Sequence, residues 1–362
     1  MSEHIPIADS PEKLTPEWFT SVLRASGHLG TEVVTGADLA PVGTGQMCDS
    51  VRAALRYDGD TASPATVIVK LPAGDETSRN TAKTLRSYEN EVRFYQQLAP
   101  GLPIRTPSVY HADIDVETAS FVLVLEDMAP ARQGDQLAGC NLEVARVAVD
   151  ELVRLHAPRW DDPELASMEW LHRDRVAQNE FLLMLLPGLW DCFRDRYSMH
   201  LEPVVSEAGS ALFPSLAAYF EVDTQPWTIV HGDYRLDNLL FDSTPGGVPV
   251  TVVDWQTCTH GPALPDVAYF IGAGLHPSDR RAGEADLVLG YHAGLVSAGV
   301  CNYAWDQCWR DYRRGSWAGL IMAVAASMLV ERTDRGDEMF LTMATRHAQH
   351  ALDLGAAELL RQ

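Results

Sequence analysis

The sequence lacks the features that mark several protein classes. Its six cysteines are scattered and include no C-x-x-C pair, which argues against a disulfide framework and favours reduced thiols in a cytosolic protein. Residues 1–10 contain neither the basic nor the apolar region of a signal peptide. The longest apolar run, residues 317–330, is shorter than the roughly 18 residues that suggest a membrane span, so it predicts a buried helix. We therefore expect a cytoplasmic protein with no membrane span.

Basic residues are also few. The chain has 28 Lys and Arg against 50 Asp and Glu, a formal net charge of −22. A surface this negative repels nucleic acid and anionic lipid, so neither is an expected partner. Solubility is the simplest explanation of the charge, although the same field could help to collect a cationic substrate.

The sequence divides into two parts with different periodicity. A chain of 362 residues suggests about two domains. Short β-like segments and one helix, over residues 79–98, dominate residues 1–128, and helical patterns dominate from residue 141 onward. We predict an α+β protein with an antiparallel-sheet domain over residues 1–128 and a larger, mostly helical domain over residues 129–362.

Residues 227–256 contain the densest chemistry in the sequence. An apolar strand runs into the tripeptide His231-Gly232-Asp233, where the glycine lets the chain turn without a Cβ clash. Two further apolar runs flank a turn-forming segment at residues 243–247. This pattern predicts a β-hairpin.

The hairpin would bring three polar side chains together. Residue 246 is the midpoint between Asn238 and Asp254, so a turn there places these two side by side at the open end. Asp233 lies on the loop that enters the same end. Magnesium is a hard cation that prefers oxygen ligands, and phosphoryl transfer requires mainly positioning and charge neutralisation. We predict that Asn238 and Asp254 hold Mg²⁺ and that Asp233 orients or deprotonates an attacking hydroxyl group.

This pattern resembles a known family. The D-x-x-x-x-N spacing, followed by a strand-borne Asp, is similar to that of the protein-kinase-like fold, and the His-Gly-Asp form resembles the aminoglycoside phosphotransferase and choline kinase group. The ecdysteroid-kinase-like branch is closer still, as judged from LVLEDM at 123–128, LHA at 155–157, HGDYRLDNLLF at 231–241 and VVDWQ at 252–256. The resemblance covers roughly residues 40–275. It implies a two-lobe fold, ATP and Mg²⁺ as cofactors, and a small-molecule alcohol as acceptor.

The resemblance also assigns supporting roles near the catalytic residue. Asp266 matches a family position that buttresses the catalytic loop. We expect His231 to hold the loop through hydrogen bonds. We expect Asp237 to be a solvated neighbour of the site.

Phosphate-binding groups are expected in the first domain. Gly43 and Gly45 lie between two β-like segments and would let backbone N–H groups approach phosphate oxygens. Lys70 ends an apolar strand and would neutralise the α- and β-phosphate oxygens, for which a carboxylate must hold its side chain. Glu89 and Glu91 lie about equally far from the centre of the helix's apolar stripe. The wider apolar face and the family pattern of Glu before an aromatic pair favour Glu91, with Glu89 as the fallback.

In the fold that this sequence resembles, adenine binds through main-chain groups at the domain boundary. The resemblance therefore assigns the carbonyl of Glu126 and the N–H of Met128 to adenine, with Leu125 at the back of the pocket. Main-chain contacts leave little trace in side-chain identity, so these two assignments depend on the resemblance alone.

Three functions are compatible with these residues. The leading hypothesis is an active kinase with Asp233 as catalytic base. The alternative is a catalytically silent nucleotide-binding module of the same fold, but the sequence retains the lysine, the aspartate and both metal ligands that degenerate kinases usually lose. A metal-dependent hydrolase with Cys258 and His260 as ligands is disfavoured, because their spacing matches no familiar zinc pattern.

The acceptor is less well defined by the sequence. Its pocket is expected in the helical domain, roughly within residues 178–219 and 301–343, which are rich in Trp, Phe, Leu and Met. Such a lining would suit a hydrophobic alcohol. An aminoglycoside would need several convergent carboxylates, which the sequence does not reveal.

Overall fold

A computed structural model describes residues 5–43, 47–172, 174–221, 226–242 and 249–361. The chain forms two compact units. Unit 1 consists of Met1–Gly101, Thr106–Pro130 and Val253–Gln256, and unit 2 of Leu102–Arg105, Ala131–Val252 and Thr257–Gln362. Leu102–Arg105 precedes residue 130 but belongs to unit 2, and Val253–Gln256 follows it but belongs to unit 1. Sequence periodicity does not indicate this exchange of segments.

A five-stranded antiparallel sheet forms the centre of unit 1. Its strands are β1 (Val34–Pro41), β2 (Cys48–Tyr57), β3 (Thr66–Pro72), β4 (Val109–Asp115) and β5 (Ser120–Glu126), in the spatial order β1-β2-β3-β5-β4. Strand β5 is buried from Phe121 to Leu125. A strand with near-continuous apolar sequence is expected where both faces of a sheet are covered.

Helices cover the two faces of this sheet. Helix α1 (Pro16–Ala25) begins with proline after the cap Thr15, whose hydroxyl accepts the Trp18 N–H at 3.2 Å. Its apolar face packs with Val122 and Val124 of β5 in one hydrophobic cluster. On the other side, Tyr88 stacks on Phe121 with ring centroids 4.4 Å apart.

The stretch predicted as one helix over residues 79–98 is interrupted. It contains α2 (Glu76–Leu85), α3 (Ser87–Arg93) and a π-helical turn (Phe94–Leu98). Arg86 joins α2 to α3 in the left-handed conformation, with φ of 59°. The prediction of one continuous helix was wrong because a left-handed residue ends the first helix and redirects the chain.

Helices make up most of unit 2. In its described part they are α4 (Leu142–His156), α5 (Arg175–Arg196), α6 (Pro203–Leu212), α7 (Leu216–Phe220), α8 (Leu264–Gly274), α9 (Pro277–Ser297), α10 (Trp305–Gly315), α11 (Trp317–Leu329) and α12 (Asp334–Asp353). Helix α11 is the predicted buried helix, and it buries Trp317, Leu320 and Val324. Across the residues that the structure describes, none of the helices combines the length and apolarity that crossing a membrane requires.

Short 3₁₀ turns connect several of these elements in both units. They are Pro11–Lys13, Ala99–Gly101, Ala157–Arg159, Pro163–Ser167, Phe213–Ser215, Leu236–Asn238, Trp255–Thr257 and Ala356–Leu360.

Two small antiparallel sheets complete unit 2. Strand β7 (Trp227–Val230) pairs with β10 (Thr259–Pro262), and β6 (Arg132–Gln133) pairs with β8 (Leu239–Phe241), which in turn pairs with β9 (Val250–Val252). The predicted hairpin is therefore present as β8 and β9, while its turn at residues 243–247 lies outside the described residues.

The register of this hairpin differs from the prediction. Leu239 lies opposite Val252, whereas a ladder centred on residue 246 would pair Leu239 with residue 253. The register was wrong by one residue because Pro and Gly indicate a turn without fixing how many residues lie on each side of it.

The core of unit 2 depends on close approach between helices α5 and α6. The Trp190 ring stacks on Phe213 with centroids 4.7 Å apart and an interplanar angle of 6°. Gly209 of α6 lies directly against the Trp190 ring, and a Cβ at this glycine would overlap the ring. Trp190 is buried in the cluster that also contains Trp317 and Phe340.

We predict that Gly209→Ala destabilises the protein by about 1–3 kcal/mol, because the added methyl group overpacks a rigid ring. Gly290→Ala in α9 is the matched control. A Cβ there meets no atom of the described chain within 4 Å, so the higher helix propensity of Ala should raise stability by up to about 1 kcal/mol. Urea unfolding of both variants measures the difference, and equal stability of the two would contradict the packing argument.

Candidate functional site

In unit 1, the Lys70 ammonium group lies between two carboxylates. Lys70 belongs to β3, and its Nζ donates to Glu91 Oε1 at 2.7 Å and to Asp254 Oδ1 at 3.0 Å. The side chains of Lys70 and Glu91 are only 11% and 3% exposed. Glu91 comes from α3, where it shares a buried face with Tyr88 and Val92. Glu89, the fallback partner, instead accepts from Arg86 Nε at 2.9 Å.

The charges of this cluster do not cancel, since two carboxylates face one ammonium group. Burial alone would lower the pKa of Lys70, but the Asp254 and Glu91 carboxylates outweigh it and raise that pKa well above its usual value. Lys70 therefore stays charged at any physiological pH. One negative charge remains in excess, which favours binding of a further cation.

The segment Val253–Gln256 is held against α3 and the π-helical turn that follows it. The Trp255 ring stacks on Phe94 with centroids 3.7 Å apart and an interplanar angle of 8°. Asn90 Nδ2 donates to the Gln256 carbonyl at 3.0 Å. Asp254 adopts a left-handed φ of 68°, a conformation that Asp tolerates better than most residues. These contacts direct the Asp254 carboxylate towards Lys70.

In unit 2, the loop that carries Asp233 is fixed by one carboxylate. Asp266, in the first turn of α8, accepts the His231 N–H at 2.7 Å and the Gly232 N–H at 2.9 Å. Gly232 has φ of 80°, and a Cβ there would lie 2.7 Å from the Thr257 carbonyl oxygen, so glycine is required. His231 Nδ1 accepts the Asp233 N–H at 3.2 Å, a contact of the loop-holding kind predicted for this histidine.

The Asp233 carboxylate is surrounded by three hydrogen-bond donors. Tyr269 donates its hydroxyl to Oδ1 at 2.8 Å. Asn238 Nδ2 and Arg235 Nε donate to Oδ2 at 3.0 Å and 3.1 Å. Asn238 Nδ2 also donates to the Asp233 carbonyl at 2.8 Å, so the amide orients the loop as well as the side chain.

Asp237 is not the solvated neighbour that the sequence suggested. It is 6% exposed, and its carboxylate accepts the Gln136 N–H at 3.0 Å and Arg235 Nη1 at 2.8 Å. The prediction was wrong because Gln136, about a hundred residues earlier in the chain, folds against this loop. Arg235 was also missed as a site residue, although its position two residues after Asp233 is the local signal that could have identified it.

The predicted adenine and phosphate groups are placed as follows. Gly43 follows β1 with φ of 79°, and Gly45 lies outside the described residues. Glu126 ends β5, where its N–H donates to the Ser108 carbonyl at 2.8 Å, and Met128 follows two residues later. The roles of these four residues in nucleotide binding stay predictions.

The Cys258 and His260 pair gains no support as a metal site. Cys258 is fully buried, and His260 Nδ1 lies 2.9 Å from His172 Nδ1. Burial, followed by the neighbouring His172, lowers the pKa of His260 to about 4. Over the described ranges, no group of three or more His, Cys, Asp and Glu side chains could hold a metal ion.

Unit 2 also contains two cavities, of about 650 Å³ and 400 Å³. Trp160, Tyr303 and neighbouring residues line the larger one, and residues of α5 and α7 line the smaller one. Neither is lined by Asp233. Each cavity is lined in part by one of the two segments, 178–219 and 301–343, in which the sequence predicted the acceptor pocket.

Comparison with protein families gives one match. The model of the ecdysteroid kinase-like family matches residues 45–299. No curated protein matches the chain in sequence.

Solved structures are similar over most of the chain. A choline kinase from Cryptosporidium parvum Iowa II has a TM-score of 0.53 at 9% identity and covers 92% of this chain and 94% of its own. An ethanolamine kinase from Plasmodium vivax has a TM-score of 0.52 at 11% identity, with coverages of 93% and 89%. A Ralstonia eutropha JMP134 protein, provisionally assigned as an aminoglycoside phosphotransferase, has a TM-score of 0.53 at 15% identity, with coverages of 94% and 97%.

At these identities the likeness demonstrates a shared fold. It confirms the predicted fold class, a protein-kinase-like fold with an antiparallel-sheet N-terminal region and a mostly helical C-terminal region. The resemblance inferred from the His-Gly-Asp window is confirmed as well.

We predict that Asp266→Asn lowers the free energy of unfolding by about 1–3 kcal/mol, because one of two buried backbone N–H groups loses its acceptor. Asp286→Asn, on the exposed side of α9, is the control and should change stability by less than about 0.5 kcal/mol. Guanidinium unfolding measures both variants. A loss no greater than that of Asp286→Asn would show that Asp266 does not hold the loop.

Proposed function

Since the chain belongs to the ecdysteroid kinase-like family, we propose that it is a phosphotransferase that moves the γ-phosphate of ATP to a hydroxyl group of a small molecule. Asp233 is the catalytic base in this proposal, and Asn238 and Asp254 hold Mg²⁺. The single observation that carries it is the buried Lys70 ammonium group between Glu91 and Asp254, at 2.7 Å and 3.0 Å.

The burial of these three charged groups is better explained by a role in ligand binding than by a contribution to the stability of the fold. Removing charged groups from water is expensive, and apolar replacements of buried ion pairs are often neutral or stabilising. A buried lysine that keeps its charge is instead suited to a phosphate oxygen. Lys70 Nζ lies within 3.0 Å of both Glu91 oxygens and of Asp254 Oδ1, so in this proposal a phosphate oxygen would share its three donors with these carboxylates.

Asn238 and Asp254 each carry an oxygen atom of the kind that ligates magnesium. The Nδ2 group of Asn238 is committed to Asp233, which leaves the amide oxygen as the group that can ligate a metal. Asp254 contributes a carboxylate in a cluster with excess negative charge. Both are hard oxygen donors of the kind that Mg²⁺ prefers. When bound, Mg²⁺ would neutralise charge on the phosphate oxygens.

Asp233 fits the role of base through its placement. Its carboxylate is 15% exposed, so it can still receive a proton from a bound molecule. Three donors hold it in one orientation. Orientation of this kind lowers the barrier of phosphoryl transfer, because little covalent chemistry is required of the protein.

The acceptor is an alcohol in this proposal. The structural relatives include a choline kinase and an ethanolamine kinase, and the family name refers to ecdysteroids. A net charge of −22 would attract an amino alcohol, whereas the apolar acceptor pocket expected from the sequence would suit a steroid alcohol. A useful panel therefore contains choline, ethanolamine and an ecdysteroid.

We predict that Asp233→Asn lowers turnover of ATP with the accepted alcohol by about 10²–10⁴-fold, the range that a general base contributes. Binding of a non-hydrolysable ATP analogue with Mg²⁺ should change by less than about twofold, since the base does not contact the nucleotide in this proposal. Coupled ADP release measures turnover, and isothermal titration calorimetry measures binding.

Asp195→Asn, at an exposed position of α5, is the control for a change of one carboxylate to an amide. Its turnover of ATP and its affinity for the ATP analogue should both match those of the wild type. Turnover of Asp233→Asn equal to that of the control would refute Asp233 as the base. Tight ATP–Mg²⁺ binding with no transfer to any alcohol of the panel would favour a silent nucleotide-binding module.

A further inference from the structure

Helix α8 contacts the catalytic loop twice within one turn. Asp266 holds the loop backbone, and Tyr269, three residues later, donates its hydroxyl to Asp233 Oδ1 at 2.8 Å. Residues three apart on a helix lie on the same face. The same rigid element therefore fixes both the backbone at His231 and Gly232 and the side chain at Asp233.

The Tyr269 ring is itself locked in place from behind. It lies parallel to the His347 ring, with centroids 5.2 Å apart and an interplanar angle of 2°. His347 of α12 fills a slot between two glycines, Gly272 of α8 and Gly319 of α11, and a Cβ at either would overlap the imidazole ring or crowd it closely. The His347 ring is packed so tightly that it cannot tilt. Because the Tyr269 ring lies flat against it, the position of the Tyr269 hydroxyl is fixed as well.

His347 contributes shape and not charge to this stack. Among the described residues neither of its ring nitrogens has a hydrogen-bond partner. Burial lowers its pKa well below the usual value. A neutral imidazole adds no ionic interaction that would draw the tyrosine hydroxyl away from Asp233.

The donors are divided unequally between the two carboxylate oxygens of Asp233. Oδ2 receives two donors, Asn238 Nδ2 and Arg235 Nε, whereas Oδ1 receives one, the Tyr269 hydroxyl. An ionised carboxylate has about four lone-pair sites, two on each oxygen. Among the described residues, both sites of Oδ2 are therefore used and one site of Oδ1 is left.

We propose that Tyr269 is a positioning residue for Asp233. Its hydrogen bond orients the carboxylate so that the remaining lone pair of Oδ1 points at the acceptor hydroxyl. Oδ1 is then the atom that takes the proton of that hydroxyl. This inference rests on the proposed function. Asp233 Oδ1 accepts the proton as the acceptor oxygen forms its bond to the γ-phosphorus and the bond from that phosphorus to the leaving ADP oxygen breaks. The proton then passes from Oδ1 to solvent.

The hydroxyl of Tyr269 remains a donor throughout this step. Burial, together with the adjacent Asp233 carboxylate, raises the pKa of Tyr269 well above its usual value. The phenol therefore does not compete for the substrate proton, and its hydrogen stays directed at Oδ1.

The test compares Tyr269→Phe with Tyr197→Phe. Tyr197 is the matched control, because it is equally buried in unit 2 and donates its hydroxyl to another carboxylate, Asp337 Oδ1, at 2.7 Å. Each variant keeps its ring and loses one hydroxyl-to-carboxylate hydrogen bond. The assay is phosphorylation of whichever panel alcohol the wild type uses fastest, measured as kcat and KM.

We predict that Tyr269→Phe lowers kcat by about 10–100-fold, because a misoriented base loses much of the advantage of proximity. KM for ATP and for the alcohol should change by less than about twofold. Tyr197→Phe should leave kcat and KM unchanged.

Each outcome decides the matter. Values of kcat are calculated per mole of folded enzyme, measured by circular dichroism, so they remain informative if Tyr269→Phe is less stable. A kcat equal to that of Tyr197→Phe would overturn the role of Tyr269 while leaving the proposed function intact. A wild type that phosphorylates no alcohol of the panel would overturn both.

Discussion

The Asp266 carboxylate is the constraint on which the rest of the site depends. It accepts two consecutive backbone N–H groups, those of His231 and Gly232, at 2.7 Å and 2.9 Å. Hydrogen bonds to a charged group are worth roughly 1.5–3 kcal/mol each, so this pair fixes the loop against α8. Asp233 is the next residue. Because the loop backbone is fixed, hydrogen-bond donors can hold the Asp233 side chain in one orientation.

The charged groups of the two units are paired in different ways. In unit 1 two carboxylates keep one buried ammonium group charged, which leaves an excess of negative charge beside Lys70. In unit 2 neutral and cationic donors keep the Asp233 carboxylate in one orientation. In the proposed reaction the Lys70 ammonium group would be the charged donor and Asp233 would be the base, the two components that phosphoryl transfer demands of a protein.

Sequence patterns predicted well those features that depend on residues close together in the chain. The two apolar runs around a Pro-Gly segment predicted the hairpin of β8 and β9. The D-x-x-x-x-N spacing singled out Asp233 and Asn238, whose side chains are in contact, while their catalytic and metal-binding roles stay predictions. A local backbone conformation and tertiary contacts explain the misses. Arg86 ends a helix in the left-handed conformation, which no periodicity over residues 79–98 reveals. Asp237 is buried by Gln136, about a hundred residues away in the chain, and Tyr269 was not identified because its contact with Asp233 is made only in the folded unit.

The most direct measurement is the fate of a labelled γ-phosphate. The protein is incubated with γ-labelled ATP, Mg²⁺ and one alcohol at a time, and the products are separated and identified by mass spectrometry. The account predicts that the label appears on the hydroxyl oxygen of one alcohol, with ADP formed in equal amount and only when Mg²⁺ is present. Label that is found only in inorganic phosphate, or that stays entirely in ATP, would contradict it.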